Sequence, residues 1–102
     1  MKFIYLIQSL EDSSYKIGVS IHPTRRLSAL QTGNSSELKL VETFQSEYPH
    51  LVERALQRKY IHLKKEGEWF DFGISEEVSF LTNCKQIEET INDLKESGNV
   101  FI

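Results

Sequence analysis

Cysteine occurs once in the 102 residues, as Cys84, and the chain has only two prolines, one tryptophan and five glycines. A single thiol excludes an internal disulfide framework and a cysteine-built zinc site, so a reducing, cytoplasmic setting is expected. No long hydrophobic run is present either. The opening string MKFIYLIQ, Met1–Gln8, is apolar but far shorter than the roughly 20 residues of a spanning helix, and it carries no small-residue cleavage site. It reads as a strand, and no membrane partner is expected. Repeats, low-complexity tracts and linkers are missing as well, which leaves one domain over residues 1–102 as the expected organisation. At 39% hydrophobic and 26% charged residues, the composition is that of an ordinary globular domain. A domain this small commits most of its apolar residues to one core and has little to spare for a large ligand cavity.

An excess of positive charge is also lacking, since the net charge is −3. The charges are segregated, however. Residues 1–20 balance at zero, residues 21–65 carry eight Lys or Arg against four Glu, and from residue 66 onward nine Asp or Glu face only Lys85 and Lys95. A focused basic surface attracts polyanions whatever the total charge, so the middle segment is a candidate nucleic-acid face, with Arg25, Arg54, Arg58 and Lys59 as its phosphate contacts and Lys64 and Lys65 as further backbone contacts. The acidic residues after 75 suggest in turn a helix able to bind a partner.

Periodicity predicts an α+β domain: a small, mainly antiparallel three-stranded sheet flanked by helices. Lys2–Gln8 and Tyr15–Ser20 are rich in β-formers and flank a polar connection of hairpin length. Pro23 suits the first position of a short helix to about Gln31, with Leu27 and Leu30 inward and Gly33 past its end. Glu37–Gln45 alternates, placing Leu38, Leu40, Glu42 and Phe44 on one side of a third strand. Pro49 opens a longer helix to about Lys64, marked by Val52, Leu56 and Leu63. Glu68–Phe72 is a short aromatic segment, and Val78, Leu81, Cys84, Ile87, Ile91 and Leu94 predict a final helix over about 75–97.

If Ile4 and Leu6 share the core face of the hairpin with Tyr15, Ile17 and Val19, alternation sends Phe3, Tyr5, Lys16, Gly18 and Ser20 to the other face. Tyr5 and Lys16 become neighbours there, beside a glycine that lets a phosphate approach the backbone. Taken alone, this pattern more often describes a half-exposed sheet face with an aromatic residue and a snorkelling lysine.

The order of these residues carries a resemblance. FIY at Phe3–Tyr5 and YKIG at Tyr15–Gly18 resemble the paired tripeptides of the GIY-YIG nucleases. HPTRRLSALQTGN from His22 is similar to that group's arginine helix, with Arg26 eight residues beyond Gly18. Glu53 in LVERALQRKY matches its metal-binding glutamate, and GEWF at Gly67–Phe70 resembles the closing signature of a compact, phage-rich branch. The match spans about residues 3–72. Lys16 stands where the last tyrosine of the second tripeptide is usual, Gln57 where histidine is common, and Leu30 where tyrosine or histidine is frequent.

The resemblance implies a metal-dependent endonuclease acting on nucleic acid, DNA rather than RNA, or the catalytic core of one. Tyr5, Lys16, Arg26 and Glu53 are its implied catalytic residues. Tyr5 would orient or deprotonate water, and an adjacent ammonium on Lys16 would favour the phenolate. The guanidinium of Arg26 would bind the phosphoryl oxygens. Glu53 would hold one Mg²⁺ or Mn²⁺, with water and phosphate filling the other positions. A homodimer or a protein partner would supply sequence selectivity. A nucleic-acid-binding or protein-interaction module with weakened catalysis is the alternative. Elsewhere His22, His50 and His62 lack transition-metal spacing, Cys84 reads as a buried structural thiol, and Trp69 and Phe70 read as core anchors.

Overall fold

The computed structural model describes residues 1–98. Four strands and three helices follow one another in the order β1 (Lys2–Ser9), β2 (Ser14–Ser20), α1 (Pro23–Thr32), β3 (Leu38–Ser46), α2 (Pro49–Lys59), a 3₁₀ turn (Ile61–Leu63), β4 (Trp69–Asp71) and α3 (Ile74–Glu96). The sheet is antiparallel throughout, in the spatial order β3-β1-β2-β4. The α+β class is as expected, but the sheet has four strands rather than three. The fourth, β4, pairs Trp69 with Lys16, Phe70 with Tyr15 and Asp71 with Ser14. Three residues are too few to show a period of two, so this strand is visible only through its partner.

Hairpin β1–β2 turns through Asp12, whose Oδ1 accepts the Ser14 N–H at 3.1 Å, while Ser13 takes a left-handed φ of 58°. Its register places Ile4 opposite Val19, Tyr5 opposite Gly18, Leu6 opposite Ile17 and Ile7 opposite Lys16. Ile4, Leu6, Tyr15 and Ile17 face the larger core, where they meet Val52 and Leu56 of α2 and Phe80, Cys84 and Ile91 of α3. The opposite face is covered as well. Tyr5, Ile7 and Leu38 are buried there against Leu27 and Leu30 of α1, with Leu40 and Trp69 alongside.

Three boundaries differ from the periodic reading. In β3 the register against β1 slips between Leu6 and Ile7, so that Leu6 faces Glu42 and Ile7 faces Leu40. The extra residue inverts the alternation. Leu38 and Leu40 therefore pack on the α1 side, whereas Val41 and Phe44 pack on the α2–α3 side. Helix α2 ends at Lys59 instead of Lys64, because a tight turn follows in which Tyr60 N–H donates to the Leu56 carbonyl and Leu63 N–H to the Tyr60 carbonyl. This turn buries Tyr60 and leaves Ile61 61% exposed. In α3 the buried stripe begins at Phe80, and Val78 is 75% exposed.

Acidic residues of α3 also dock it. Glu77 Oε1 accepts from Tyr15 Oη at 2.5 Å, Glu88 Oε1 accepts from Ser46 Oγ and from the Glu47 N–H, and Asn92 accepts from Tyr48 Oη at 3.0 Å. Glu76 caps the helix by accepting from the Gly73 N–H at 2.6 Å. Part of the negative run thus belongs to the fold rather than to a partner surface.

Candidate active site

Pairing of Tyr5 with Gly18 creates the first feature of the site. A Cβ on residue 18 would lie 2.2 Å from Tyr5 Oη and 2.3 Å from Cζ, so the phenol ring occupies the space left by the missing side chain. Glycine is required there by close approach, not by backbone angle. Tyr5 is 2% exposed, which corrects the half-exposed sheet face to a packed one.

Lys16 lies two residues from Gly18 on the same face, diagonal to Tyr5. It is only 7% exposed. Burying an ammonium requires a counter-charge, and Glu68, immediately before β4, provides it: Lys16 Nζ donates to Glu68 Oε2. The Trp69 ring lies against the same ammonium, with its centroid 5.8 Å from Nζ. The ammonium expected to serve Tyr5 is therefore bonded to a carboxylate that the sequence reading did not single out. Its signal was the GEWF motif, but only the Lys16–Trp69 pairing shows what Glu68 meets.

Glu68 organises the charges around it. Its carboxyl is held below the usual carboxylate range, first by the hydrogen bond and charge of Lys16, then by the charges of Arg26 and Lys64. Glu53, half-buried on α2, is pushed the other way, first by burial and also by the charge of Glu68, against the pull of His50 and Lys16. Arg26 from α1 and Glu53 from α2 thus lie within reach of the charge of the exposed carboxylate that Lys16 from β2 bonds. Arg54, Gln57, Arg58 and Lys64 line an adjoining cleft of about 350 Å³ that shares Glu68. Lys59 does not line it, and Arg25 stays exposed on α1.

Residues 2–95 match the T5orf172 domain. The chain belongs to this family. No curated protein and no solved structure matches it. The T5orf172 match includes the hairpin, α1, α2, β4 and nearly all of α3, so every residue of the cluster lies inside it.

Among the described residues, no group of three or more His, Cys, Asp or Glu is placed to hold a metal ion. The donor chemistry of this T5orf172 domain suits a different kind of site. A half-buried carboxylate whose ionised form is disfavoured by burial and by a second carboxylate gains from a divalent cation, and magnesium is commonly held by one or two carboxylates plus water and phosphate. Glu53 fits that role. Among the described residues no helix is long and apolar enough to cross a membrane.

Proposed function

We propose that this chain is a metal-dependent endonuclease of the GIY-YIG kind, or the catalytic core of one, hydrolysing phosphodiester bonds of nucleic acid, DNA rather than RNA. Membership of the T5orf172 family supports a nucleic-acid-related function. The observation that carries the catalytic reading is the placement of Lys16 diagonal to the Tyr5–Gly18 contact, with Arg26 and Glu53 near enough for their charges and that of Glu68 to act on one another.

Hydrolysis needs an oriented water, neutralisation of charge on the phosphoryl oxygens, and assistance to the leaving alkoxide. Tyr5 Oη, fixed by packing over Gly18, orients the attacking water and serves as its general base. Arg26 offers a planar fork of donors to the non-bridging oxygens, with a charge that does not titrate. Lys16 adds a second positive charge from inside the sheet. Glu53 would hold Mg²⁺ or Mn²⁺, which when bound supplies charge neutralisation at the leaving oxygen. Arg25, Arg54, Arg58 and Lys59 contact the flanking backbone, and a homodimer or a second protein supplies selectivity.

The second reading is a nucleic-acid-binding or protein-interaction module with weakened catalysis. It is favoured by the engagement of Lys16 Nζ with Glu68. The experiment compares wild type, Glu53→Gln and Arg26→Ala, purified in parallel, on supercoiled, linear, branched and single-stranded substrates with and without Mg²⁺ or Mn²⁺. Cleavage by wild type alone is expected. Equal cleavage by all three, or none by any, removes the enzymatic reading.

A further inference from the structure

The cleft beside Glu68 has a composition that stability does not explain. Arg54 and Arg58 stand four residues apart on α2, so their side chains share one face of the helix, and a like-charge pair at this spacing is unfavourable. Lys64, after the 3₁₀ turn, brings a third cation to the same cleft. Among the described residues only two ion pairs form, Lys16–Glu68 and Lys65–Asp12, so none of these three cations has a carboxylate within bonding distance. The one acidic residue in the lining, Glu68, is already bonded to Lys16. The cleft is therefore lined by three cations that no carboxylate of the described residues bonds. Gln57, half-buried beside them, adds an amide, and buried Phe70 and exposed Ile61 complete the lining.

We infer that this cleft is a discrete subsite for a single phosphate group of a nucleic-acid strand, next to the phosphate held by Lys16 and Arg26. The inference rests on the nucleic-acid reading above and deepens it. It converts a diffuse basic face into one anion seat adjoining the reaction centre. Glu68 forms the wall between the two seats, because it both lines the cleft and bonds Lys16. A strand following this path crosses Glu68 between consecutive phosphates. Lys64 joins Arg54 and Arg58 in the seat, and Lys59 is a contact outside it.

One seat and three independent contacts leave different marks on the salt dependence of binding. For single strands, log K falls with log salt by about 0.7 for each phosphate neutralised. Three cations around one phosphate contribute about 0.7 together, whereas three separate contacts contribute about 2. The test is metal-free titration of a short single-stranded oligothymidylate by fluorescence anisotropy across a salt series. Wild type is compared with Arg54→Gln, Arg58→Gln, Lys64→Gln, the triple variant, and Lys39→Gln, an exposed lysine of β3, as control.

Each single variant at the cleft is expected to weaken binding, the losses are expected not to add, and the triple variant should lower the slope by about 0.7. Lys39→Gln should leave the slope unchanged. A fall of about 2 with additive losses overturns the seat in favour of a diffuse face. An unchanged slope, an equal effect at Lys39, or no binding by wild type also overturns it. Cleavage of supercoiled DNA with Mg²⁺ is scored separately. Cleavage with an unchanged slope in the triple variant removes the seat and leaves the enzyme, and the expected slope without cleavage removes the enzyme and leaves the seat.

Discussion

Tyr5 and Gly18 depend on each other through one contact. An added methyl at residue 18 meets the phenol at 2.2 Å, and the ring is buried, so Gly18→Ala must either push the ring away or distort the hairpin. Overpacking of this sort costs about 1–3 kcal/mol, and urea denaturation should show a loss in that range. Because the displaced group is the proposed water-orienting phenol, cleavage should fall further than the stability loss alone explains. Tyr5→Phe separates the two effects: the ring and the packing remain and the hydroxyl goes, so the fold and metal-free binding should persist while the cleavage rate drops by two orders of magnitude or more, on the order of a general base's contribution. Full activity in Tyr5→Phe would take the tyrosine out of the mechanism.

At the level of elements, α3 tests how the core is built. Val78 continues an apolar spacing in the sequence but is 75% exposed, while Phe80 is fully buried against the sheet. Phe80→Ala should destabilise the protein by about 3–5 kcal/mol, whereas Val78→Ala should stay within about 0.5 kcal/mol of wild type in thermal or urea unfolding. The reverse order would mean that α3 is rotated about its axis. Strand β4 matters for another reason. Three residues of pairing with β2 set Trp69 against the Lys16 ammonium and bring Glu68 to it, so a functional contact depends on the shortest strand in the sheet.

In the whole molecule, the basic and acidic segments that are separate along the chain are packed together, α2 against α3, and the groups that resist ionisation lie in the core between the sheet, α2 and α3. Burial, with a hydrogen bond to Glu77 and its charge, pushes the Tyr15 phenol up from 10.0 to about 12. Burial pushes the Cys84 thiol from 9.0 to about 12 and raises Tyr60 as well. All three keep their neutral forms more firmly folded than unfolded. Their contribution is therefore complete below the ordinary values of 9.0 to 10.0 and is lost as pH climbs toward about 12. From neutral pH, stability should be level up to about pH 9 and then fall steeply toward pH 12. Tyr15→Phe should flatten part of that fall, as followed by urea midpoints against pH. An alkaline profile identical to wild type would mean that Tyr15 titrates alike in both states.

Much of this protein was legible from local chemistry. The alternation of Ile4, Leu6, Tyr15 and Ile17 named the core face of the hairpin, the prolines at 23 and 49 opened both helices, and Val52 and Leu56 marked the buried stripe of α2. These signals are short-range, because side-chain period and φ restriction act within a few residues. Tyr5, Lys16, Arg26 and Glu53 could be named as candidates from their order along the chain. Only the tertiary structure decided what surrounds them. The slip between β1 and β3 moved Phe44 to the opposite face from Leu38. Strand β4 became a strand by pairing with β2, and through it Glu68 reached an ammonium 52 positions away in the chain. The counter-charge that a buried lysine requires comes from whichever carboxylate the fold brings near, and no local pattern records which one that is.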